Sequence, residues 1–470
     1  MSDATIEFPR AMGEQDAMLW RMERDRRFRS TLLSVTVLDA PPDRARFTAK
    51  IARMAAEIPR LRQRIVPMPE LVSTPIWAWA EDFDLAYHLR FLRLGGAGTM
   101  RELLDFTAAI GRQAFDPERP PWEFYAIDGL REGPGGENGA AILWKMHHAV
   151  TDGVAGVRIM RHSFDLAPDG DLRAAPPPRA LEPGEDADVA RLSSEAVRER
   201  LAQVPGRLWA GARKAVDVAR DPVGAAQSAA RDLASLRRLL ADMPGPLSPV
   251  MTARSTNFHV DAFQVPIAAL KAAAHAAGGT VSDAFLAGVT GGLHRYHARH
   301  GKPVAALNAS IPISLRNAAA DSDVAGTHIA VARLALRIDE PDPARRIRAH
   351  HAVVAEARDE PAQAYSDVVA GVLYRLPLPL ALRTYAASAT KNDLVASSVP
   401  GIPAPVFVAG ARARAFLTFG PLSGAAVNAT LFTIDDMANV SLNADAAAVP
   451  DLDALVACVR EGFDEVLALA

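Results

Sequence analysis

Between Ala174 and Asp188 the chain changes character. Pro176, Pro177 and Pro178 stand in a row, and an acidic stretch with more proline and glycine follows. Such a composition supports neither a helix nor a strand and reads as a linker. From Val189 to Met243 the chain is rich in Ala, Arg and Leu, is interrupted by Pro205 and Pro222, and closes at Pro244–Pro249. That pattern predicts connector helices. A chain of 470 residues exceeds what one core normally organises. The punctuation therefore sets the expected division: a first domain over 1–165, linker and connector over 166–250, and a second domain over 251–470.

Both outer segments mix the two periodicities. In the first, Leu32–Leu38 and Gly139–Met146 read as strands, while Phe47–Met54 and Met100–Ala114 have helical spacing. In the second, strands are expected at Asn257–Val265, Ala305–Ile313, Ile329–Ile338, Val406–Phe416 and Met437–Ala444. Helices are expected at Pro266–Ala277, Ser282–Arg299, Asp342–Arg358, Asp367–Ala387 and Leu452–Ala468. The fold class is α/β.

Composition narrows the function classes. The formal net charge is −3, which disfavours a protein that works by neutralising nucleic-acid phosphates. Cys458 is the single cysteine, so neither an intramolecular disulfide nor a cysteine-rich zinc site can form. Ala415–Ile434 carries no charge and is long enough to span a bilayer, but Gly420-Pro421, Ser423-Gly424 and Asn428 break it. Together with Leu394–Ala411 it reads as buried strands and turns. No basic segment followed by an apolar one opens the chain, so a cytoplasmic location is expected.

The sharpest local pattern is His147-His148-Ala149-Val150-Thr151-Asp152-Gly153, set where an apolar strand ends and a helix is expected through Arg158 and His162. An imidazole titrates near pH 6.5 and can take a proton from a hydroxyl. Asp152 has two readings, a cap for the following helix or a partner for an arginine. Gly153 admits a backbone conformation that a β-carbon disfavours. A lone histidine is more often a packed core residue, and the sequence carries its own control: His350-His351-Ala352-Val353 repeats four letters without Thr-Asp-Gly, inside a charged helical pattern that reads as a solvated face. No third His or Cys stands at metal-ligand spacing, so no metal is expected. No Gly-x-Ser-x-Gly nucleophile elbow is present.

His-His-x-x-x-Asp-Gly resembles the active-site motif of the CoA-dependent acyltransferase superfamily. Further segments are similar to the bacterial wax ester synthase/diacylglycerol acyltransferase family: Ile58–Arg64, Trp79 through Asp82–Arg90, Phe115–Glu123 ending at Ile127–Leu130, Pro312–Arg316, Ser397–Gly401, and Gly420–Gly424 through Asn428. A weaker match lies at Asp16–Glu23. Three positions depart from the family pattern. Pro121 replaces a leucine before Trp122, and Ser282, before Asp283, and Ser398 each replace an asparagine.

The resemblance implies two chloramphenicol-acetyltransferase-like domains in a pseudo-twofold arrangement, joined by the connector, with an active-site tunnel between them. It implies transfer of a long-chain acyl group from acyl-CoA to a hydroxyl of diacylglycerol or a fatty alcohol, with His148 as general base. His147, Asp152 and Gly153 are expected to orient the motif. Pro121, Trp122, Ser282, Asp283, Ser314, Arg316 and Asn428 are candidate substrate-binding residues. No cofactor is implied beyond acyl-CoA as co-substrate. Peripheral association with a membrane or lipid inclusion fits the family and the Leu- and Arg-bearing connector. The alternatives are a condensation-type acyltransferase that takes carrier-bound acyl groups and a non-catalytic lipid-binding relative.

Overall fold

The computed structural model describes residues 8–70, 73–151, 162–170, 245–314, 329–358 and 366–470, with single positions at 156, 159, 191, 194, 195 and 198. The first half runs α1 (Glu14–Met22), β1 (Thr31–Leu38), α2 (Arg44–Glu57), β2 (Gln63–Val66), β3 (Ile76–Trp79), α3 (Leu85–His88), β4 (Leu89–Arg93), α4 (Met100–Gly111), β5 (Trp122–Leu130) and β6 (Gly139–His147). The second runs β7 (Phe258–Pro266), α5 (Ile267–Ala276), α6 (Val281–Arg299), β8 (Ala306–Ser314), β9 (Ile329–Arg337), α7 (Pro343–Arg358), α8 (Ser366–Arg375), α9 (Leu378–Ala389), β10 (Leu394–Ile402), β11 (Phe407–Val408), β12 (Ala411–Phe419), β13 (Val427–Ile434), β14 (Met437–Asp445) and α10 (Leu452–Leu467). The connector expected at 189–243 lies outside the described residues apart from four positions.

Local chemistry sets several of these boundaries. Thr99 and Glu102 form a reciprocal capping box at α4, and Thr280 and Asp283 form another at α6. The single helix expected over 367–387 is two, because Pro377 ends the run and caps the start of α9. Among the described residues no helix is long and apolar enough to cross a membrane.

Two six-stranded sheets carry the fold, in the orders β11-β12-β1-β6-β5-β4 and β7-β14-β13-β10-β8-β9. The first is buried on both faces. Trp122, Phe124, Ile142 and Trp144 point to one core with α2, whereas Leu33, Val35, Leu143 and Leu417 point to another with Leu103 of α4 and Val260 of β7. This second layer joins the halves. It is tight: a β-carbon on Gly111 would lie 2.4 Å from Leu33 and 2.9 Å from Phe258.

The strand expected at 406–416 belongs elsewhere than its chain position implies. It forms β12 with the short β11 and pairs antiparallel with β1, Leu33 opposite Phe419, so the second half contributes the far edge of the first sheet. β11 covers only Ala411 and Arg412 on the other edge of β12. Polar side chains of the second sheet bond the rest of that segment. The Gln264 amide donates to the Arg414 carbonyl (3.0 Å), Thr418 N–H to Ser441 (3.1 Å), Asn443 to the Gly420 carbonyl (2.9 Å) and Asn428 to the Pro421 carbonyl (2.9 Å). On β13 and β14 these polar positions alternate with core residues Ala429, Leu431, Val440 and Leu442. A crossing strand leaves backbone groups unpaired, and this row of amides and hydroxyls satisfies them.

Candidate active site

β6 delivers the motif. All of its residues are buried, and its last, His147, lies opposite Thr31, the first residue of β1. A single 3-10 turn, His148–Thr151, follows. Backbone bonds fix both histidines: His147 N–H donates to the Pro121 carbonyl and His148 N–H to the Ser30 carbonyl, each at 2.9 Å.

The two imidazoles differ in exposure. His147 is fully buried, with Trp20 edge-on at 4.9 Å. Its Nδ1 accepts from Ala149 N–H (3.1 Å), so its proton sits on Nε2, which donates to Glu23 Oε1 (2.8 Å). Both ring nitrogens are engaged. The His148 side chain is 30% exposed, and its Nδ1 faces Asp16 Oδ1 at 3.4 Å. A proton on Nδ1 directed at Asp16 makes Nε2 the basic nitrogen of the ring, the form a general base needs.

Asp16 and Glu23 were not among the expected site residues. With Trp20 they stand at i, i+4 and i+7, so α1 and its C-cap present one face to the motif. The weaker family match at Asp16–Glu23 is the signal that marks them. Behind the motif, two residues along β6, Lys145 bonds Glu123 at 2.9 Å, and both are buried. Burial pushes the Glu123 carboxyl up, but the Tyr125 hydroxyl and the Lys145 charge outweigh it and hold it below its ordinary range.

The other expected residues scatter. Trp122 is fully buried, donates from Nε1 to the Leu61 carbonyl (2.8 Å) and stacks on His88 at 4.3 Å. It packs in the core, and its neighbour Pro121 holds the motif through its backbone carbonyl. Burial pushes His88 down to about 4, so it packs as a neutral ring. Asn428 is likewise buried: beyond its bond to Pro421, its carbonyl accepts from Thr430 at 3.1 Å. Asp283 closes the α6 cap and pairs with His351 at 2.8 Å. Ser282 donates to Ser398 at 3.0 Å, so the two serines that stand for family asparagines touch each other. Ser314 ends β8. Asp152, Gly153 and Arg316 lie outside the described residues. Among the described residues, no group of three or more His, Cys, Asp or Glu is arranged to hold a metal ion.

The chain matches known proteins along nearly all of its length. Residues 12–285 match the wax ester synthase/diacylglycerol acyltransferase catalytic domain, and residues 325–466 the C-terminal domain of the same family. The chain belongs to the wax ester synthase/diacylglycerol acyltransferase family. A Mycobacterium tuberculosis protein provisionally named a diacylglycerol O-acyltransferase is 32% identical over 98% of this chain and 92% of its own. A second from that organism, named likewise, is 28% identical over 98% of each. Among solved structures, the wax ester synthase/diacylglycerol acyltransferase from Marinobacter aquaeolei VT8 superposes with a TM-score of 0.62, at 21% identity over 97% of this chain and 98% of that one. The first condensation domain of the calcium-dependent antibiotic synthetase gives 0.58, at 18% identity over 99% and 97%. At these identities the two structures establish the shared chloramphenicol-acetyltransferase-like fold of the family.

Proposed function

We propose that the protein transfers a long-chain acyl group from acyl-CoA to the hydroxyl of a lipid alcohol, diacylglycerol or a fatty alcohol, giving triacylglycerol or wax ester. Family membership supplies the reaction class. The observation that carries the assignment of roles is the contrast between the paired histidines, His147 fully buried and bonded through both nitrogens, and His148 30% exposed with Nδ1 against Asp16.

Nε2 of His148 takes the proton of the acceptor hydroxyl as that oxygen attacks the thioester carbonyl. A C–O bond forms, the C–S bond breaks, and the thiolate leaves with the proton returned by the imidazolium. A base placed in this way is worth about 10²–10⁴-fold, and holding both substrates together supplies much of the rest. Asp16 orients the ring, and Glu23 and Pro121 hold the strand end. Asp152 and Gly153 keep the orienting roles that the family motif gives them. The thioester is already activated, so this chemistry requires no cofactor. An acceptor of this kind resides in a bilayer or lipid inclusion. Val368, Val372 and Leu380, exposed on α8 and α9, suit peripheral contact with such a surface.

The test is thiol release from palmitoyl-CoA with diacylglycerol, long-chain alcohols and short branched alcohols as acceptors, and from an acyl carrier protein in parallel. Acceptor-dependent release that His148→Ala abolishes is expected. Full activity in His148→Ala refutes the base, and turnover only with the carrier protein refutes the donor.

A further inference from the structure

The helix that faces the motif is too short to hold itself. α1 has nine residues, and its N-cap residue, Gly13, supplies no side-chain cap. An isolated helix below about 12–15 residues is marginal in water, so tertiary contacts decide where this one stands. At 3.6 residues per turn, Asp16, Trp20 and Glu23 share the face turned to His147 and His148. Glu14, Arg21 and Met22 fall on the far side.

The second half grips that far side. Glu14 takes a two-pronged bond from Arg375 of α8, at 2.7 and 2.8 Å, and Gln15 donates to Asp367 at 2.9 Å. Met22 packs with Ala381 of α9. The Arg21 side chain is only 5% exposed. Its Nη1 donates to the carbonyls of Leu373 (3.4 Å), Tyr374 and Leu376 (2.7 Å), where α8 ends. Its Nε and Nη2 donate to Glu70 at 2.8 and 2.7 Å. A cation is favoured at a helix C-terminus, and a planar fork serves carbonyls and a carboxylate at once. Bonds at the first residue of α1 and in its last turn fix both its height and its rotation against α8.

We infer that Arg21 and Arg375 are positioning residues for proton transfer: by pinning α1 to α8 they set Asp16 against His148. The Asp16–His148 contact, at 3.4 Å, stands at the long limit of a hydrogen bond, so a small slide of α1 makes or breaks it. A misplacement of about 1 Å costs on the order of 10²-fold in rate. The base is thereby completed across the two halves. Its strand belongs to the first, and the hold on its aspartate comes through α1 from the second. The inference rests on the reading of His148 as general base.

Two measurements on the full chain test it: thiol release from palmitoyl-CoA with diacylglycerol, and the ring-nitrogen NMR shifts of His148, identified by their loss in His148→Ala. Arg21→Met lowers kcat about tenfold at unchanged KM and moves the pH profile of kcat as Asp16→Asn does. It also spreads the ring proton over both nitrogens. In the Asp16→Asn background it lowers kcat less than about twofold further, because its effect runs through that carboxylate. Arg375→Gln breaks a partly exposed pair and lowers kcat about threefold, which keeps the test valid if the buried variant melts early. Folded Arg21→Met and Arg375→Gln proteins with unchanged kcat, pH profile and ring shifts overturn the inference. So does an equal loss with and without Asp16→Asn, since Arg21 then acts by another route. Full turnover in His148→Ala defeats the base reading instead, and the ring shifts still decide whether α8 positions the histidine.

Discussion

The sequence His-His-Ala-Val occurs twice, at His147–Val150 and at His350–Val353, and the two copies share more than letters. In each, the inner histidine is buried and the outer one faces an aspartate, His148 with Asp16 at 3.4 Å and His351 with Asp283 at 2.8 Å. The second copy is only in part the solvated face its charged neighbours suggest: His351 and Ala352 are exposed, but His350 is buried and shares a hydrogen bond with Thr290 at 2.9 Å inside the α6–α7 contact. What separates the copies is position. The first ends a buried strand where both halves meet. The second lies within α7, and its aspartate already closes the cap of α6. A paired histidine becomes a candidate base through what it faces, and the local letters carry little of that.

The largest expected difference between the copies is in turnover. His148→Ala lowers kcat for acyl transfer about 10²–10⁴-fold, and His351→Ala changes it less than about twofold. Thiol release under saturating acyl-CoA measures both, and comparable losses would abolish the distinction. The aspartates follow. Asp16→Asn keeps the contact but weakens its hold on the Nδ1 proton, so kcat falls on the order of tenfold at unchanged KM and the pH profile of kcat shifts. Asp283→Asn leaves kcat unaltered and lowers stability by about 1 kcal/mol through the weakened cap, read as a lower Tm. A purely structural Asp16 would move Tm and leave the pH profile in place.

Much of this contrast was legible in the sequence. The apolar run Gly139–Met146 marked a buried strand, and Thr-Asp-Gly after the first histidine pair set it apart from the second. The destination of β12 was not legible. Ala411, Ala413, Ala415 and Leu417 alternate with more exposed residues, which reports a buried face and says nothing of the sheet that receives it. β5 escaped notice because Pro120-Pro121 precede it and Glu123 and Asp128 interrupt its apolar pattern; Glu123 is tolerated only because Lys145 and Tyr125 neutralise it from within. Asp16 and Glu23 sit more than a hundred residues from the histidines they hold, a distance that only tertiary structure closes.

A third difference appears in acid. Burial pushes His350 down to about 4, as it does His88 in the other half. Between pH 6.5 and about 4 the unfolded chain binds protons that these folded residues refuse. Their contribution is complete above pH 6.5 and is lost as pH falls through that window, up to about 3 kcal/mol each. Denaturant titrations from pH 7 to 4 should show this slope, and His350→Gln should remove roughly one proton of it. A slope unchanged in His350→Gln would mean that the second copy opens to water before the chain unfolds.

The smallest expected effect concerns the two serines that depart from the family pattern. Ser282, at the start of α6 beside Asp283, donates to Ser398 on β10, and both residues are exposed. An exposed hydroxyl pair competes with water for each bond, so Ser282→Ala and Ser398→Ala each cost about 0.5 kcal/mol or less. A double-mutant cycle should return a coupling of similar size, because each serine is the other's partner. Zero coupling would make the substitutions independent events. Measurable coupling makes them a single exchange, two short hydroxyls that close one contact between α6 and β10.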